Sequence, residues 1–264
     1  MIKAQQLLLF PILLFVLIGC GSEEEPIKEP AQTNNVPAAS TEESVAYEDY
    51  VLSLDTMSLS SGKSLDYTKP DGSSIEVEVY VDDSSEVVKV IEKYVRPSVG
   101  SIESKWFYYK DGKKYVTKEF FEEGEGANSG FVERVTYYDE NGKAKVSKRR
   151  KAMYEDALVD EMFMMIDKYD CSDERAFKVL NQQGEFATTF QGFVQDEHLI
   201  YLVVGENKKD GYVSTLVVQQ KGPSINKLLS NERSMLGTPL EVDFQKSIGD
   251  LGYEFQALLS IKIL

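Results

Sequence analysis

The 264-residue chain carries 29 Lys and Arg against 44 Asp and Glu, a formal net charge of −15. Such a carboxylate surplus opposes the counterion release that drives binding to nucleic-acid phosphates, and it repels anionic lipid headgroups, so nucleic acid and electrostatic membrane docking are excluded as expected partners. With 42% hydrophobic and 28% charged residues, the composition is globular, of a size for one large domain or two ordinary ones.

At the N-terminus, Lys3 precedes an apolar stretch over 7–18 that is interrupted by Pro11. A spanning helix needs about 20 consecutive apolar residues, and this run is shorter, so residues 1–19 are predicted to be a signal peptide. The closing Leu17-Ile18-Gly19-Cys20 resembles the bacterial lipobox. That resemblance implies cleavage before Cys20, lipidation of Cys20, and a membrane attachment made through the lipid alone. Several buried acyl chains, at about 0.8 kcal/mol per methylene, make a stable anchor. Gly21 follows the Cys, where many lipoproteins retained at the inner membrane have Asp, and Ser22-Glu23-Glu24-Glu25 resembles the acidic run that exports some lipoproteins to the cell surface. The expected location is therefore the bacterial outer membrane, with the periplasmic and surface faces both open. The rest of 20–49 is rich in Glu, Pro, Ala, Ser and Thr and has a charge balance of −7 over 21–49. It is expected to be a disordered acidic tether, because it buries too little apolar surface to offset its ordering entropy.

Within an expected domain of 50–172, short apolar or aromatic runs alternate with turn chemistry between Ile75 and Lys151. Tyr80, Tyr108 and Tyr137 recur at steps of 28 and 29, each followed by a turn segment and a return strand, with Asp111-Gly112 and Asn141-Gly142 supplying positive φ. These hairpins resemble the MORN-type and related Tyr-Asp-Gly repeats of envelope proteins, which implies a curved antiparallel meander. The first unit has Ser84-Ser85 where the others have Gly. Asp83 and Glu86 could cap a helix there, but β-branched Val87, Val88 and Val90 favour a strand. Trp106, Tyr108, Tyr115 and Tyr137 are the candidate binding face, since outward Trp and Tyr suit protein or glycan recognition. Over 153–169, apolar residues recur every three or four positions, predicting one amphipathic helix on the concave face of the sheet. Its methionines, Met162 and Met165 above all, are candidates for an apolar pocket.

Over 173–264 three strand candidates, at 186–194, 199–204 and 213–218, precede a helix at 224–236 and two strands at 240–244 and 253–263. This order is similar to that of OB-fold barrels, in which a helix joins the third and fourth strands. Nine Lys and Arg against eleven Asp and Glu in 174–264 leave no basic groove for nucleic acid. The expected fold class is thus mainly β with a few helices (α+β): a meander packed on one helix, followed by an OB-like five-stranded barrel.

The chain shows no catalytic motif. Gly62-Lys63-Ser64 lacks the earlier glycine of a phosphate loop, because Met57 stands there. His198 is the only histidine, and Cys171, the only cysteine besides Cys20, is flanked by Asp170, Asp173 and Glu174. That setting raises a thiol pKa rather than activating the thiol. No catalytic residue, metal ligand or cofactor is assigned. The sequence points to a non-enzymatic lipoprotein that binds an envelope protein or a glycan. The alternative is a carrier of lipid or acylated peptide that uses the Met-rich helix against the curved sheet.

Overall fold

The computed structural model describes residues 41–97, 101–124, 129–196, 198–249 and 252–264. The expected signal peptide, Cys20 and tether residues 20–40 lie outside them. Helix α1 (Thr41–Thr56) and short strands β1 (Ser60–Lys63) and β2 (Tyr67–Thr68) precede six long strands. These are β3 (Ser74–Val81), β4 (Val87–Arg96), β5 (Ser101–Lys110), β6 (Lys113–Glu123), β7 (Gly130–Tyr138) and β8 (Ala144–Ala152). They pair in sequence order as three hairpins.

The 28- and 29-residue steps have a common structural meaning. In each hairpin the register slips by one residue immediately after the repeat tyrosine, between Tyr80 and Val81, Tyr108 and Tyr109, and Tyr137 and Tyr138. Each slip is a β-bulge, which bends and twists its strand and so curves the meander. The turns of the first and third units also match. Oδ1 of Asp82 accepts the N–H groups of Ser84 and Glu86 at 2.9 and 3.0 Å, and Oδ1 of Asp139 accepts those of Asn141 and Lys143 at 2.9 and 3.0 Å. Ser85, at φ 66°, stands in the left-handed position that Gly142 fills at φ 74°. This turn settles the segment after Asp83 as a hairpin leading into strand β4, with no helix.

No helix forms over 153–169, contrary to the periodicity. A 3-10 turn at Asp156–Asp160 is followed by β9 (Met164–Ile166), which pairs with β8. The open edge of β8 presents unpaired backbone groups, and Met164 to Ile166 satisfy them as a strand. The helix that packs on this face of the sheet is α1, which includes residues 41–49 of the expected tether. Its Tyr47, Val51 and Leu54 are buried against Val88, Tyr108, Val116, Val135 and Tyr137. Each such side chain contributes about 1.5–3 kcal/mol when fully buried, enough to order a helix whose outer face exposes Val45 and Leu52.

The chain continues through α2 (Glu174–Leu180), β10 (Thr189–Gln195), β11 (Ile200–Gly205), β12 (Val213–Val217), α3 (Pro223–Ser230), α4 (Glu232–Met235), β13 (Leu240–Ile248) and β14 (Glu254–Ile263). Strands β10, β11 and β12 are antiparallel, β14 runs parallel to β12, and β13 pairs with β14. A single bridge from Thr189 to Pro239 returns the start of β13 to β10. Because β12 also pairs with β2, the strands on both sides of the expected 172/173 boundary belong to one 14-stranded mixed sheet. The protein is mainly β with a few helices.

The meander's second face closes over a core shared with the C-terminal strands, including Phe107, Tyr109, Phe186, Phe190, Leu202 and Leu216. Charged groups are buried at its border. Glu92, 1% exposed, accepts two hydrogen bonds from Arg175, at 3.2 Å to Nε and 2.5 Å to Nη2. Lys105 lies 3.1 Å from Glu103 and 3.9 Å from Glu92. Burial alone would lower the Lys105 pKa, but the two carboxylates outweigh it and raise it. Buried charges persist only when paired in this way.

Candidate functional site

The four residues of the expected binding face share one side of the meander but not one environment. Tyr137 is buried, its ring stacked on Tyr47 at 4.7 Å, and its hydroxyl donates to Glu48 at 3.1 Å. Tyr115 meets the rings of Tyr47 at 4.5 Å and Tyr50 at 5.1 Å. Tyr108 is 5% exposed in the same cluster. Burial pushes the phenol pKa values of Tyr108 and Tyr137 far above the ordinary range. Helix α1 therefore consumes three of the four as its own packing surface. It is pinned by the Tyr47 hydroxyl, which donates to the Tyr138 carbonyl at 2.7 Å, by the Tyr50 hydroxyl, which donates to the Tyr109 carbonyl, and by the pairs Asp55–Lys89 and Glu48–Lys148, both at 3.3 Å.

Trp106 has a different setting. It is only partly buried, and it borders an open groove of about 490 Å³ that extends from Tyr108 past Ser104 and Phe120 to Ile102. Lys118, Glu133 and Glu155 complete the lining. The ladder fixes this arrangement. Trp106 pairs with Lys118, which pairs with Val135; one step along, Ser104 pairs with Phe120, which pairs with Glu133. Two rows of a sheet thus alternate ring, charge and hydroxyl, with strands about 4.8 Å apart and same-face neighbours along a strand about 7 Å apart. Phe120 is held by stacking on Phe131 at 5.8 Å, and Glu133 is bound by Arg150 at 2.6 Å. The Lys118 ammonium lies 5.9 Å from the Tyr108 ring centre. Among the described residues neither Lys118 nor Glu155 has an ion-pair partner, so a cation and a carboxylate are both available to a ligand.

The groove residues Ser104, Lys118, Phe120, Glu133 and Glu155 carry no signal of their own in the sequence. Counting outward from the tight Asp111-Gly112 turn gives Lys110 opposite Lys113, and that register would set Trp106 against Thr117. The bulge at Tyr108/Tyr109 moves the partner to Lys118. A slip of one residue exchanges the two faces of a strand, so the bulge alone decides that Lys118 and Phe120, rather than Thr117 and Glu119, stand beside Trp106.

The apolar pocket expected at Met162 and Met165 is not formed. Met162 is 86% exposed before β9, and Met165 is 42% exposed on the short edge strand, because the helix that would have enclosed them is absent. His198 lies exposed in a turn where Asp196 accepts its backbone N–H at 2.9 Å. Cys171 is completely buried. Burial, and then the Glu119 carboxylate, push its thiol far above the ordinary range, which leaves no thiolate for nucleophilic chemistry. Among the described residues no cluster of three or more His, Cys, Asp or Glu is arranged to hold a metal ion, and no helix there is long and apolar enough to cross a membrane.

No protein family, curated protein or solved structure matches this chain, and so no enzyme family is indicated.

Proposed function

We propose that this chain is a lipid-anchored lipoprotein of the bacterial outer membrane whose body is a non-enzymatic binding module for an envelope protein or glycan. The observation that carries the reading is the groove at Trp106, a ring that packs against the edge of the α1 cluster yet is only partly buried and borders open space. The C-terminal strand order, in which β10, β11, β12, β14 and β13 are consecutive neighbours and β13 bridges back to β10, supports the OB-like reading of that half, with α3 between the third and fourth strands. Anchoring at Cys20 would hold the acidic body off the anionic membrane, with the intervening segment as spacer.

The anchor is tested by growing a diderm bacterium that expresses the full chain on an alkyne fatty acid. The chain should take up label and fractionate with the outer membrane, and Cys20→Ser should abolish both. Label that survives Cys20→Ser would overturn the lipoprotein assignment. The non-enzymatic reading is tested by a hydrolase screen on the purified chain: turnover lost on a single carboxylate or His198 substitution would overturn it.

A further inference from the structure

The groove's chemistry specifies its ligand more narrowly than "protein or glycan". We infer that it is a subsite for a neutral oligosaccharide, an inference that rests on the groove being a binding site at all. Three features of the lining carry it. The first is alternation. Trp106 and Phe120 are ring platforms, and each is paired across the ladder with a polar or charged neighbour, Lys118 beside Trp106 and both Ser104 and Glu133 beside Phe120. A purely apolar ligand would desolvate those polar groups without pairing them, which is costly. A pyranose carries its own alternation, with an apolar face of C–H groups to lie on an aromatic ring and a rim of hydroxyls that both donate and accept.

The second feature is charge. Glu133 is already neutralised by Arg150 at 2.6 Å, while Lys118 and Glu155 both line the groove and neither has an ion-pair partner among the described residues. A ligand bearing net charge of either sign meets a like charge in the same groove, and like-charge juxtaposition is a strong discriminator against such partners. A neutral polyhydroxylated ligand can accept from the Lys118 ammonium and donate to the Glu155 carboxylate at once, using both as charge-assisted hydrogen bonds.

The third feature is the floor. It is built from the interior strands β5, β6 and β7, each hydrogen-bonded to a neighbour on both sides. No free sheet edge is offered, so an extended peptide cannot add as a strand, which is the commonest way a sheet recognises a peptide backbone. Recognition must run through side chains standing off the sheet, on a grid of about 4.8 Å between strands.

Trp106 is the chain's only tryptophan, so its emission reports the groove alone. The purified full chain is titrated with the neutral cello-, chito-, manno- and xylohexaoses, with an anionic hexagalacturonate, and with one Lys-rich and one Glu-rich heptapeptide. At least one neutral hexasaccharide should give a saturable change in emission. Calorimetry on variants should show that Trp106→Ala weakens that binding at least about tenfold and that Trp106→Phe retains more of it. Glu155→Gln, at an exposed position where folding is not at stake, should weaken it several-fold with an unchanged melting temperature. A response to hexagalacturonate or a peptide alone, or no response from an indole that acrylamide quenches readily, overturns the neutral-glycan assignment and leaves the wider binding reading standing. No response from an indole that acrylamide fails to quench shows a closed groove and overturns both.

Discussion

Arg175 is the sharpest place to test how the meander is joined to the C-terminal strands. Its guanidinium comes from α2 and reaches across to Glu92 on β4, a carboxylate that is 1% exposed. Two unit charges about 3 Å apart attract by about 5 kcal/mol at an effective dielectric of about 20, and desolvation of the pair offsets much of this. Removing one partner is different, because the remaining charge keeps its desolvation cost. After Arg175→Met the nearest cation to Glu92 is Lys105 at 3.9 Å, and Lys105 is already engaged with Glu103 at 3.1 Å. Loss of a fully buried partner costs about 3–5 kcal/mol, and Arg175, whose side chain is 33% exposed, leaves a path for water to reach Glu92. The expected loss is therefore about 2–3 kcal/mol, read as a shift of the urea midpoint at constant slope. The double variant Glu92→Leu with Arg175→Met removes both charges and leaves Lys105 with Glu103. It should recover most of the loss, giving a coupling energy of about 2 kcal/mol. If Arg175→Met cost less than about 0.5 kcal/mol, the pair would be behaving like a solvated surface bridge. If the two single losses simply added in the double variant, the idea that Glu92 depends on Arg175 would fail.

Other outcomes follow from the turns and the buried thiol. Ser85→Gly relieves a left-handed serine at φ 66° and should stabilise the protein by about 0.5–1 kcal/mol in urea unfolding; a neutral or negative effect would contradict the equivalence with Gly142. Asp82 is held below the usual carboxylate range by the Ser84 hydroxyl and then the Glu86 N–H, and Asp139 by the N–H groups of Lys143 and Asn141. Groups depressed in the folded state stabilise it fully above their unfolded pKa, about 3.9 for Asp, and that contribution is lost as pH falls through the lower folded value. The melting temperature should therefore drop on acidification below about pH 4, and Asp139→Asn, which keeps the acceptor oxygen, should flatten the drop; parallel curves would refute the assignment. In a Cys20→Ser chain, Cys171 should react with a thiol reagent only at the rate of unfolding, and stoichiometric labelling of the folded protein would show that its burial is wrong.

Local chemistry made much of the fold visible in the linear chain. The tyrosine period, the Asp-Gly and Asn-Gly turns and the β-branched runs specify hairpins, because strand alternation and positive φ at a turn are properties of neighbouring residues. The order of the five strands in the last third follows from the same kind of signal, but α2 is not expected from it and the single helix expected at 224–236 is two, α3 and α4, broken at Asn231. Two elements were misread where local pattern and long-range pairing compete. Met153 to Tyr169 have helical spacing, yet the open edge of β8 captured Met164 to Ile166 as a strand. Tyr47, Val51 and Leu54 are spaced for one helix face, but among Glu, Ser and Ala they become a helix only because the meander gives them a surface on which to be buried.

The sequence by itself determined that aromatic hairpins repeat, and that Trp106 and Tyr108 share one side of their strand. Which of those rings would face solvent was decided by tertiary structure alone. Helix α1 arrives from a segment that composition marks as a tether and covers Tyr108, Tyr115 and Tyr137, and the one-residue bulge after Tyr108 chooses the neighbours of Trp106 on β6. Neither event is local: the first depends on apolar surface that exists only once six strands have assembled, and the second on a register that the turn sequence taken alone would set one residue away.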